Sequence, residues 1–137
     1  MNQMFLSFEQ VKNLLPPQLK ITNKIGRSSI YDSVNHSIVA FCNSRDYDGG
    51  IWWYSVFVYN LLDCGVNTVC LTLGMHGIIV VPITILIEYV KYADYRDYNQ
   101  GRRFHIRIKK ENNKILLYHS GHKDVDLTPM FLSSGLV

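Results

Sequence analysis

Arg103-Phe104-His105-Ile106-Arg107-Ile108-Lys109-Lys110 alternates polar and apolar side chains almost without a break. Successive side chains of a β-strand point to opposite faces, so this stretch places Arg103, His105, Arg107 and Lys109 on one side and Phe104, Ile106 and Ile108 on the other. One side faces a core and the other carries a row of positive charge. A basic row on a half-buried strand points to a polyanionic partner.

On the C-terminal side of this strand, Glu111-Asn112-Asn113 reads as a turn and Lys114 to Tyr118 as the returning strand, followed by a short extended piece around Val125 to Leu127. On its N-terminal side, Pro82 suits the first turn of a helix, and Ile83, Leu86, Ile87 and Val90 keep the helical period, giving a helix that frays near Tyr95. His36 to Cys42, Ile51 to Tyr59, Thr68 to Leu73 and Ile78 to Val81 are dense in β-branched and aromatic residues. Asp48-Gly49-Gly50 and Gly74-Met75-His76-Gly77 separate them as turns, so the middle of the chain reads as a meander. At the start, Ser7 and Gln10 have capping-box spacing, and Phe8, Val11, Leu14 and Leu15 share one helical face until Pro16-Pro17. A polar, glycine-containing segment then runs to Ser29. This order predicts an α+β fold: a mostly antiparallel curved sheet or partly open pseudobarrel of about seven strands, with two short helices.

The chain's 137 residues suit a single domain, 1–137, which can bury a core without a disulfide or metal staple; the same sequence also fits the N-terminal module of a longer protein. Apolar residues make up 47% and charged residues 18%, a balance that argues against disorder. The net charge of +3 conceals an asymmetry, because residues 101–137 hold 7 basic against 3 acidic side chains while residues 1–100 hold 7 against 8. Charge concentrated in one part of a fold is the form an electrostatic footprint takes, although a solvated face produces the same count. Cys42, Cys64 and Cys70 show no Cys-x-x-Cys spacing, so neither a disulfide framework nor a zinc site is indicated. The most apolar stretch, Ile78 to Val90, contains Pro82, Thr84 and Glu88 and is too short for a bilayer; with no leader pattern at the start, a cytoplasmic location without membrane contact is expected.

Seven Lys/Arg side chains lie between Arg102 and Lys123. Arg103 and Arg107 have the planar fork that grips a phosphate or a guanine edge, while lysines on such a hairpin also serve to protect a sheet edge. Tyr89, Tyr92, Tyr95 and Tyr98 recur at every third position beside Lys91 and Arg96; they suit base stacking, or else Tyr89 and Tyr92 edge the core while Tyr95 and Tyr98 occupy a loop. Of the adjacent Trp52 and Trp53 only one can enter the core, which leaves the other for an unstacked base or a protein partner. Asp46, Asp48 or Asp63 would serve as the first acid of a Mg²⁺-dependent PD-(D/E)XK-type nuclease, but no Glu-x-Lys follows them. His119, His122, Asp124 and Asp126 offer metal-ligand atoms in a short loop, but a chance turn accounts for them better, because the His-x-x-His spacing is not on a helix and no distant ligand presents itself. Gly74 to Gly77 lacks the Lys and Ser/Thr of a phosphate loop.

Trp52-Trp53-Tyr54-Ser55-Val56, Leu71-Thr72-Leu73-Gly74 with Ile78 to Pro82, Gly101 to Ile108 and the closing Asp126-Leu127-Thr128 together resemble a DNA-recognition domain of prokaryotic restriction and DNA-modification systems. The resemblance spans roughly residues 45–131 and is of the pseudobarrel type, which implies duplex DNA as the partner, with further domains or subunits of a restriction complex. The sequence thus leads to a non-catalytic DNA-binding module of a restriction or phage-defence system, needing no cofactor. Its expected contact residues are Arg102, Arg103, His105, Arg107, Lys109, Lys110 and Lys114, with Tyr95, Tyr98 and Trp53. Two alternatives stay open: a diverged Mg²⁺ nuclease and a protein-interaction domain built on an exposed tryptophan.

Overall fold

Phe104, Ile106 and Ile108 are buried in one continuous core, shared between two sheets, which fixes which side of their strand faces inward. The computed structural model describes residues 4–26, 29–44, 47 and 49–137. Along them run α1 (Phe8–Leu14), β1 (Ile21–Lys24), β2 (Ile30–Ser33), β3 (Val39–Ser44), β4 (Ile51–Val56), α2 (Val58–Asp63) and β5 (Thr68–Leu73). There follow β6 (Gly77–Pro82), α3 (Ile83–Tyr89), β7 (Tyr95–Tyr98), β8 (Gly101–Glu111), β9 (Lys114–Leu117), β10 (Val125–Asp126) and β11 (Phe131–Ser133). Two 3-10 turns, Pro17–Leu19 and Thr128–Met130, complete the order.

The fold is α+β, as expected, but its sheets lie face to face and do not close into a barrel. The first sheet has the strand order β1-β2-β3-β5-β6-β11. In the second the order is β10-β9-β8-β4, with β7 beside the start of β8. Strand alternation divides the first sheet's side chains between two cores. Ala40, Val69, Leu71, Ile79 and Val81 meet Trp52, Tyr54, Phe104 and Ile106 of the second sheet. Val39, Cys70 and Ile78 face the opposite way, against Leu6 and the α1 residue Val11. The Tyr54 hydroxyl donates across the sandwich to the Thr72 carbonyl at 2.8 Å.

Several local expectations are met in detail. The Ser7 hydroxyl accepts from the Gln10 amide, and the Gln10 side-chain oxygen accepts from the Ser7 amide, which closes the capping box of α1. Asn112 and Asn113 both adopt positive φ, 53° and 63°, giving the tight two-residue connection that joins β8 to β9.

Elsewhere the structure corrects the sequence reading. There are eleven strands and three α-helices among the described residues, against the seven and two expected. The middle of the chain is not a meander: β3 pairs with β5 in parallel, and the intervening β4 crosses to the second sheet. The strand expected to reach Tyr59 stops at Val56, after which α2 buries Val58 and packs Leu61 against the core. The polar segment before Ser29 contains β1, an edge strand whose exposed side chains give no apolar alternation. Residues 95–98 are neither a frayed helix nor a loop but strand β7, because their backbone pairs with β8. No helix among the described residues is long and apolar enough to cross a membrane.

Candidate nucleic-acid interface

β8 sits at the centre of the second sheet with β4 on one side and β7 and β9 on the other, so residues of matching parity on these strands form transverse rows on the outer face. Across that face Trp53 stands opposite Arg107, Ser55 opposite His105, and Arg96 opposite Arg103. The helices lie elsewhere: α1 covers the far side of the first sheet, while α2 and α3 send Val58, Leu86 and Tyr89 into the core between the sheets. The two adjacent tryptophans divide as alternation requires, with Trp52 1% exposed and Trp53 46%.

Aromatic rings and cations interleave on this outer face. The Arg107 guanidinium lies 5.0 Å from the Trp53 ring, Arg103 lies 4.6 Å from Tyr98, and the Lys109 ammonium lies 5.0 Å from Tyr118. His105 abuts Trp53 edge-on, and its Nδ1 accepts from the indole Nε1 at 3.4 Å. Where β7 and β9 leave a gap beside β8, the His105 amide donates to the Asp94 carbonyl, and the Arg107 amide to the Tyr89 hydroxyl, which in turn donates to the Tyr118 carbonyl. Burial pushes the Tyr89 hydroxyl up to about 12, so it remains a neutral donor holding this junction.

Charge along the row is uneven. Arg107 donates to Asp94 at 3.0 Å, and the same carboxylate approaches His119 Nε2 at 3.4 Å. Lys109 is paired with Glu111 at 2.9 Å and Asp124 at 3.5 Å, contacts that raise its pKa, Glu111 most of all. Arg103 instead donates to the Tyr98 hydroxyl at 2.6 Å, and its Nε is shielded from solvent without an acceptor. Within this row, Arg107 and Lys109 are therefore neutralised locally and Arg103, among the described residues, is not.

The outer face brings together Trp53, Tyr98, Arg103, His105, Arg107 and Lys109, with Lys114 at the hairpin end. Arg102, Lys110 and Tyr95 stand on the opposite side of the sheet. Arg102 stacks on Tyr95 at 3.8 Å and pairs with Asp97, while Lys110 has the inward parity of Ile108 at the exposed end of the strand. Hydrogen bonds from Arg102 hold the Asp97 carboxyl below the usual carboxylate range. Sequence reasoning did not assign Arg96, Asp94, His119 or Tyr118 to this face. Arg96 was accessible by reading 95–98 as a strand; Asp94 reaches Arg107 and His119 reaches Asp94 from loops, which leave no periodic signal.

Catalytic chemistry finds little support in the described geometry. Asp46 and Asp48 lie outside the described residues, and Asp63 ends α2 facing solvent. Among the described residues no three His, Cys, Asp or Glu side chains converge to hold a metal. His119 and His122 pack instead with Tyr92, which stacks on His122 at 3.8 Å. A cleft of about 450 Å³ opens beside β3, β4 and α2, lined by residues such as Ala40, Cys42, Val56 and Asn60, and no ionisable acid or imidazole is among its lining. Burial pushes the Cys42 thiol there up to about 12, which disfavours the nucleophilic thiolate. The chain matches no protein-family model, no curated protein and no solved structure.

Proposed function

We propose that this chain is a non-catalytic nucleic-acid-binding module that uses the outer face of its second sheet. The observation that carries the reading is the exposed Trp53 beside Arg107, continued along the same face by Tyr98 with Arg103 and Tyr118 with Lys109. Aromatic planes accept bases and interleaved cations meet phosphates, a combination that suits polynucleotides better than small anions. Duplex DNA in a restriction or phage-defence system is the setting implied by the sequence resemblance alone.

The test is a salt titration of binding to duplex DNA, single-stranded DNA and RNA, with Arg103→Ala combined with Arg107→Ala. Affinity should fall steeply with salt and fall further in the double variant, because each phosphate contact releases counterions. Affinity unmoved by both overturns the reading.

The exposed indole also supports a protein-interaction surface, and the pairing of Arg107 and Lys109 with carboxylates favours it by lowering the charge of the face. A defined oligomer formed without nucleic acid and dispersed by Trp53→Ala would select that reading.

A further inference from the structure

Arg96 and Arg103 converge on one phenol. Their guanidinium carbons lie 5.7 and 4.6 Å from the Tyr98 ring centroid, and neither forms an ion pair among the described residues. Arginine is always charged, and a guanidinium N–H shielded from solvent without an acceptor is costly. At Arg103 the mismatch is visible in the shielded, unpartnered Nε. The Tyr98 hydroxyl accepts from Arg103 at 2.6 Å and so keeps its own proton free to donate. Two guanidinium groups thus lie against one ring whose hydroxyl can still donate.

Resting on the nucleic-acid reading above, we infer that Arg96, Tyr98 and Arg103 form a phosphodiester subsite, that Trp53 is a stacking platform for a base, and that the bound nucleic acid is single-stranded. The phosphate subsite and the platform belong to rows four residues apart on β8, a distance of about 13 Å along the strand. A short run of extended nucleotides covers that distance, with its backbone at the Arg103 end and an unstacked base on the indole. A duplex keeps its base faces inside the stack, out of reach of Trp53. The face is also three strands wide, about 10 Å between the outer strand axes before side chains are added, whereas a major groove of about 12 Å admits a helix or a two-stranded ribbon.

The experiment is fluorescence anisotropy with a labelled single-stranded DNA, the same sequence as RNA, and the corresponding DNA duplex, each titrated with the full chain at several salt concentrations. Either single strand should bind more tightly than the duplex. Arg96→Ala and Arg103→Ala should each weaken binding roughly tenfold and lower the salt slope by about 0.7. Trp53→Ala should weaken it about tenfold and leave the slope unchanged, because stacking releases no counterion. Arg96 is exposed, so its variant keeps the fold and tests the subsite even where Arg103→Ala perturbs packing. Duplex bound at least as tightly as the single strands, or salt slopes unmoved in both arginine variants, overturns this inference and leaves nucleic-acid binding standing. Absence of binding to all three ligands overturns both.

Discussion

At the Arg103 end of β8 two guanidinium groups share a phenol, and neither has a carboxylate partner among the described residues. At the Lys109 end the row runs into Asp94, Glu111 and Asp124, which hold Arg107 and Lys109 in place. The four basic side chains of the row look equivalent in sequence, yet neighbouring strands and loops set how much of each charge is available. Exposed ion pairs contribute little to stability, so their main effect at the Lys109 end is to lower the field seen by an approaching anion.

Both ends depend on β8 keeping its alternation, and the largest effect comes from damaging its inner face. Ile106 is fully buried between the two ends, and Ile106→Ala should destabilise the fold by about 2–5 kcal/mol through lost burial and the residual cavity. Urea melts read this directly. Outer-face changes such as Lys109→Ala should stay within about 0.5 kcal/mol. Similar costs on both faces would show that the row is structural rather than available to a ligand.

A smaller effect tests the contrast itself. Asp94→Asn frees Arg107 from its ion pair and should raise nucleic-acid affinity by up to about fivefold, the equivalent of the 0.2–1 kcal/mol associated with an exposed pair. The gain should shrink as salt rises. Unchanged affinity at low salt would mean that the two ends do not differ through their pairing.

The strand at the centre of this contrast was legible because β8 is half-buried, and half-burial writes alternation directly into sequence. The same rule correctly separated Trp52 from Trp53, and the capping box and the Asn112-Asn113 turn were legible because their geometry is local. β7 was misread because its three-residue tyrosine spacing mimics a helix, while its strand character comes only from pairing with β8. The parallel β3–β5 pair was illegible for a related reason: no local pattern records that β4 leaves for another sheet. Asp94 and Asp124 reach Arg107 and Lys109 from loops and Glu111 follows Lys109 on β8 itself, so the basic row taken alone overstated the field of the outer face.

The smallest expected effect is the most selective. Asp97 lies three residues from Asp94, but it pairs with Arg102 on the opposite side of the sheet. Asp97→Asn removes the same formal charge as Asp94→Asn, yet it should leave affinity for nucleic acid nearly unchanged at physiological salt, where screening acts over about 8 Å. Its signature belongs to the acid limb of stability instead. The Arg102 hydrogen bonds depress the folded Asp97 pKa below its ordinary 3.8, so the folded state binds this proton less readily than the unfolded chain. The contribution is therefore present above about pH 4 and fades as pH falls from there through the lowered folded pKa. Denaturant melts of the protein and of Asp97→Asn should differ slightly at neutral pH and converge below that window. If Asp97→Asn raises affinity as much as Asp94→Asn does, the ligand senses net charge alone and the distinction between the two sides of β8 fails.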